Sequence, residues 1–201
     1  RRVEAAWEHR AMHDPLTGLP NRALLLDHLD KALARAGRDG TYVALLFLDL
    51  DQFKDVNDGY GHRAGDELLT SVAELLRSGV RETDIVARLG GDEFVILLGS
   101  LADSQQLELV LRRILETVSA PYVIEEHTIS ISASIGVALY PLDEADADTL
   151  LRHADRDLFD ERATAAVCDS GRALDEESQF AARAGIGGCL ESVAAGEHER
   201  H

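Results

Sequence analysis

The chain has 201 residues, 45% of them hydrophobic, which suits one domain with appendages and supplies enough apolar material for a real core. Its formal net charge of -17 excludes general binding to DNA, RNA or an acidic membrane surface, all of which need an excess of Lys and Arg. A small polyanionic substrate stays open through bound cations and a few local bases, and no apolar run approaches the ~20 residues of a membrane span.

In chain order, residues 1–13 read as a helical connector with Val3, Ala6, Trp7 and Met12 loosely on one side. The chain opens at Arg1 and its only methionine is Met12, so it is expected to be cut from a longer protein with an upstream module. Asp14-Pro15-Leu16-Thr17-Gly18-Leu19-Pro20-Asn21-Arg22 breaks any helix and imposes a fixed turn. Helix resumes with Asn21 as N-cap and Leu24, Leu25, Leu29 and Leu33 on one face, and it ends between Gly37 and Gly40. Tyr42 to Leu50 is apolar on both faces, as in a central strand covered by helices.

Gln52-Phe53-Lys54 then enters a short helix, and the stretch from Asn57 to His62 reads as a loop leading to Gly65-Asp66. Leu68, Leu69, Val72, Leu75 and Leu76 recur at helical spacing. A hairpin follows, with strands near Asp84 to Leu89 and Glu93 to Leu98, and then a helix from about Ser104 to Ser119. Tyr122 to Glu125 and Thr128 to Leu139 read as a second hairpin, whose longer arm alternates Ile129, Ile131, Ala133, Ile135 and Val137 with small polar residues. A last helix is expected from Ala145 to about Arg162. Residues 163–201 are rich in Ala, Gly and Glu without strong periodicity, and read as a poorly ordered tail. Cys168 and Cys189 lie in that tail and make no paired metal spacing, so a reducing cytoplasm is the default compartment. The order of elements fits a ferredoxin-like α/β sandwich, a mixed, mainly antiparallel sheet flanked by helices.

The first hairpin carries the chemistry. Gly90 and Gly91 between two β-rich runs make a tight turn, but the turn itself has no need of the two carboxylates that follow, Asp92 and Glu93. Like charges side by side repel, and a bound cation would relieve them. A second acidic pair, Asp49 and Asp51, closes the strand that ends at Leu50. If that strand lies beside the hairpin, the two acidic ends form an oxygen-ligand site for a hard divalent metal such as magnesium.

Several separate signatures occur together: the turn from Asp14 to Arg22, the run from Asp49 to Asp58, Gly61-His62, Gly65-Asp66, Gly90 to Phe94, and Ala133-Ser134-Ile135-Gly136-Val137. On these, the segment from Asp14 to about Phe159, within a domain bounded at 14–162, resembles the GGDEF domain of diguanylate cyclases. That family implies a nucleotidyl-cyclase-like fold and condensation of two GTP into cyclic di-GMP and pyrophosphate, with magnesium or manganese as cofactor. It also implies a homodimer for catalysis and an upstream sensory module. By the same resemblance Asp49 and Asp92 are side-chain metal ligands and the Leu50 carbonyl a backbone one. Glu93 is a second metal ligand or a partner of the attacking hydroxyl, and Gly91 either leaves room for the nucleotide or serves turn geometry alone.

Asn57 and Asp66 match the guanine-reading pair; a carboxylate there accepts from guanine N1–H and the 2-amino group, which adenine cannot offer. Lys54 matches a phosphate contact, with the backbone N–H groups of Gln52, Phe53 and Lys54 at a helix start beside it. Arg81 and Asp84, with five residues between Asp84 and Gly90, match an RxxD inhibitory site for the product. The C-terminal pattern departs from the family: Arg162 stands where a phosphate-binding lysine is expected, and Ala166 where an arginine is expected. The alternative to an active cyclase is therefore a GTP- or cyclic di-GMP-binding regulatory module with little or no turnover.

Overall fold

In the computed structural model, residues 11–102, 104–143 and 146–156 are described. Most of the expected connector, Arg162 and the whole of 163–201 lie outside those residues.

The nine-residue run Tyr42–Leu50 forms β1 at the centre of the sheet, and nearly all of it is buried. Its alternation splits the core in two, because successive side chains leave opposite faces of a strand. Tyr42, Ala44, Leu46, Leu48 and Leu50 join one cluster, and Val43, Leu45 and Phe47 join the other. A strand that is apolar on both faces must be covered twice, and it is.

On the second face lies α1 (Arg22–Asp39), whose Leu25, Leu29 and Ala36 pack there with Ala147, Leu150, Leu151 and Ala154 of the helical stretch 147–156. Asn21 caps α1 as expected, its Oδ1 accepting from the N–H groups of Ala23 and Leu24 at 3.0 and 3.2 Å. Gly40 ends it in the left-handed region at φ 67°. On the first face lie α2 (Phe53–Tyr60), α3 (His62–Gly79) and, after the hairpin of β2 (Ile85–Gly90) and β3 (Glu93–Leu101), α4 (Ser104–Val118). Full burial of each Leu on these faces contributes about 1.5–3 kcal/mol, so the two apolar faces fix the helices' places.

Two expectations are corrected. The loop expected between Asn57 and Gly65 shrinks to the single residue Gly61, at φ 86°, because both helices run up to it and its N–H closes on the Asn57 carbonyl at 2.9 Å. The second hairpin is also shorter than expected: β4 (Tyr122–Ile124) pairs only with β5 (His127–Ile129). The arm breaks at Ser130–Ser132 and continues as β6 (Ala133–Tyr140), which leaves for β1. Apolar alternation runs through the break unchanged; Asp51 marks it, donating its N–H to the Ser132 carbonyl at 2.9 Å.

The main sheet has the order β2-β3-β1-β6 with every neighbouring pair antiparallel, as the expected architecture requires. Among the described residues no helix is long and apolar enough to cross a membrane.

Candidate active site

The antiparallel register of β1 and β3 sets Asp49 directly opposite Glu93. On the other side of β1, Asp49 faces Ser134 of β6. The end of β1 therefore lies between the first residue of β3 and the start of β6, and the Gly91-Asp92 turn stands at the same edge of the sheet.

Charge accumulates at this edge. Burial raises the pKa of Glu93, and the carboxylates of Asp49, Asp155 and Asp92 raise it further against a weaker pull from Arg22. Asp51 does not share the cluster in the way the paired acids at the strand end suggested. Its two oxygens accept from the hydroxyls of Ser132 at 2.6 Å and Ser134 at 2.8 Å, so it ties the broken hairpin arm to the end of β1.

Among the described residues no three His, Cys, Asp or Glu side chains are grouped to hold a metal by themselves. Magnesium does not require that: it usually takes one or two carboxylates and completes its shell with water and substrate phosphates. Two carboxylates beside a strand-end carbonyl, in a patch whose members repel one another, fit that kind of ion.

Beside the edge, α2 opens on Gln52, which holds the left-handed conformation at φ 59° and ψ 23° and gives the helix no side-chain cap. A non-glycine residue in that region is strained, and such strain is concentrated at functional sites. Lys54 is exposed on the first turn, whereas Phe53 is 9% exposed and its side chain belongs to the core. Asn57 is half-buried against Gly65, and exposed Asp66 follows on α3.

The remaining assigned residues divide between two places. Gly91 sits in the turn at φ 52°, its carbonyl accepting from Arg88 Nε at 3.0 Å and Nη2 at 2.7 Å. Arg81 and Asp84 form a closed turn at the far end of β2, where Asp84 Oδ2 accepts from the N–H of Arg81 at 3.0 Å. Arg81 also lines a cavity of 350 Å³ shared with His28, Lys31 and Arg35, a strongly basic lining in an acidic chain. A larger cavity of 610 Å³ lies between α2 and residues 128–132, lined by Asp51, Asp55 and Tyr60 among others; Asp49, Asp92 and Asn57 are outside it. Asp49, Asp92 and Glu93, at the edge of the sheet, line neither of these two cavities.

Sequence reasoning gave no role to Arg88 or Asp14, although Asp14 opens a quoted motif and Arg88 lies in the expected strand before another. An arginine two residues before a glycine turn and an aspartate before Pro-Leu-Thr-Gly were the available signals. Their partnership across 74 positions was not.

A helix-covered antiparallel sheet with an acid-crowded turn at one edge, flanked by an uncapped helix start, defines the class as an α/β sandwich of the nucleotidyl-cyclase-like kind. The family model "Diguanylate cyclase, GGDEF domain" matches residues 11–166, and the chain belongs to that family. Over 149 residues it is 48% identical to the bifunctional diguanylate cyclase/cyclic di-GMP phosphodiesterase MucR of Pseudomonas aeruginosa, covering 74% of this chain and 22% of MucR. The chain thus spans about a fifth of that relative's length. The solved GGDEF domain of TpbB from the same organism superposes with a TM-score of 0.70 at 43% identity, over 73% of this chain and 86% of that one. The coiled coil and GGDEF domain of DgcB from Caulobacter crescentus, solved in complex with c-di-GMP, gives a TM-score of 0.73 at 28% identity, over 82% and 87%.

Proposed function

We propose that the chain is a diguanylate cyclase domain that joins two GTP molecules into cyclic di-GMP with release of two pyrophosphates. The observation that carries this reading is the pairing of Asp49 with Glu93 across β1 and β3, which brings the strand-end acid to the acidic turn. Asp49, Asp92 and the Leu50 carbonyl would hold magnesium or manganese, which when bound lowers the pKa of the 3'-hydroxyl and takes up charge on the leaving pyrophosphate.

The chain's own groups do the rest. Lys54 and the first N–H groups of α2 bind phosphate, favoured by the positive end of the helix. Asn57 and Asp66 read guanine, and Asp66 rejects adenine by leaving its own oxygens unpaired. Glu93 lies beside the reacting atoms, as a further metal ligand or as the partner of the attacking hydroxyl. Each chain holds one GTP, and two chains face each other so that each 3'-hydroxyl attacks the α-phosphorus of the opposite nucleotide. The working unit is therefore a homodimer, held together by an upstream module of the longer protein.

A second reading, a GTP- or cyclic di-GMP-binding regulatory module, is favoured by Ala166 at the place of an expected phosphate-binding arginine. Incubation with GTP and magnesium, followed by chromatographic separation of nucleotides, discriminates the two. Cyclic di-GMP is expected, with none from Asp92→Ala at unchanged far-UV circular dichroism. Bound GTP without product leaves the regulatory reading, and full turnover by Asp92→Ala removes the metal assignment.

A further inference from the structure

Gly65 sits inside α3, is buried, and has no need of glycine for its backbone: it is not among the residues at positive φ. Alanine would serve a helix better there. What excludes a side chain is Asn57. A Cβ on Gly65 would stand 2.2 Å from Oδ1 and 3.0 Å from Cγ of Asn57, with Phe53 Cζ at 3.3 Å behind it. His62 Nδ1 lies 3.3 Å from the same Oδ1 and donates to it when the proton is on Nδ1. The amide oxygen thus has the imidazole of His62 as a hydrogen-bond partner and occupies the space that a side chain on Gly65 would fill. Among the described residues the amide nitrogen, a donor, has no hydrogen-bond acceptor, which leaves it for a ligand.

We propose that Gly65, assisted by His62, is a positioning residue for nucleotide selection: its missing side chain is the seat that aims Asn57 at the base. This rests on the reading of Asn57 and Asp66 as the guanine pair. Within that reading the division of labour is chemical. Asp66 can only accept, which suits guanine N1–H and the 2-amino group; Asn57, its oxygen occupied, donates to a neighbouring guanine acceptor. Gly65→Ala pushes the Asn57 amide off its seat while leaving the helix as good as before or better.

The test is a double-mutant cycle on GTP binding, measured by calorimetry with magnesium, using the unaltered chain, Gly65→Ala, Asn57→Ala and the pair. Gly65→Ala is expected to weaken GTP binding about tenfold, the scale of one well-made hydrogen bond. Its melting temperature should hold or rise, and the Asn57 side-chain amide signal in a ¹⁵N spectrum should move without ligand. In the Asn57→Ala background the same change should cost almost nothing. In turnover the loss should fall on KM with kcat nearly unchanged, as for uniform binding. Wild-type affinity in Gly65→Ala beside weak binding by Asn57→Ala overturns the positioning role and leaves the guanine reading standing. An undiminished Gly65→Ala effect in the Asn57→Ala background means that Gly65 acts on the fold, and also overturns it. Wild-type affinity in Asn57→Ala, or no GTP binding by the unaltered chain, removes the guanine reading and the positioning role together.

Discussion

Arg88, at the end of β2, reaches Asp14 in the N-terminal turn: Nη1 lies 2.8 Å from Oδ1, with the two side chains 10% and 15% exposed. The remaining nitrogens of the same guanidinium hold the Gly91 carbonyl, and the backbone N–H of Arg88 donates to the Pro20 carbonyl at 3.0 Å. One arginine therefore fastens the N-terminal turn to the acidic hairpin. The planar fork matters, since an ammonium would present one point charge where three directed donors are used.

Removing Arg88 leaves the Asp14 carboxylate mostly buried without its cation. Arg88→Ala is expected to destabilise the fold by roughly 3 kcal/mol, the scale for breaking a buried pair from one side. Urea denaturation should show a lower midpoint at unchanged slope, with Arg88→Lys intermediate. A midpoint equal to wild type would contradict the structural role given to this contact.

Asp14 supplies a pH dependence of known sign. Burial opposes its charge, but the Thr17 hydroxyl and N–H, at 2.7 and 2.9 Å, and then Arg88 outweigh burial and hold its pKa below the ordinary 3.8. A carboxyl whose folded value is lowered stabilises the fold above its unfolded value, and the stabilisation is lost as pH falls through the folded value. Stability should therefore begin to drop below pH 3.8. Asp14→Asn should be less stable at neutral pH and show a shallower loss in acid, and parallel curves for the two proteins would refute the assignment.

Gly91 distinguishes turn geometry from room for a nucleotide. An added Cβ meets nothing within 4 Å, so the only structural penalty of Gly91→Ala is its left-handed φ of 52°. That penalty is about 1 kcal/mol. Denaturation should show that loss, while GTP affinity should fall well beyond it if the backbone approaches the nucleotide. Unchanged GTP affinity would assign Gly91 to the turn alone.

Arg81 faces a basic cavity, with Asp84 bound to its backbone, and that cavity is proposed as the inhibitory site for cyclic di-GMP. Arg81→Ala should relieve inhibition about tenfold or more, on the scale of a lost bidentate arginine contact to guanine, with the initial rate without product unchanged. Initial rates against added cyclic di-GMP check this, and coincident inhibition curves would remove the site.

Local order was legible from the residues in sequence. The two-sided apolarity of Tyr42–Leu50, the Asn21 cap, the glycine turn at Gly90-Gly91 and the helical spacing after Gly65 all depend on neighbours a few positions apart, where period and turn chemistry act directly. The family signatures are local in the same sense. What the residues alone left open was which distant groups meet: that Asp49 pairs with Glu93 while Asp51 goes to Ser132 and Ser134, that Arg88 finds Asp14, and that Gly65 is bare for the sake of Asn57. Such choices are made by strand register and by competition among polar groups for partners once the core has closed. A hydrogen bond across 74 positions leaves no periodic trace in the chain that makes it.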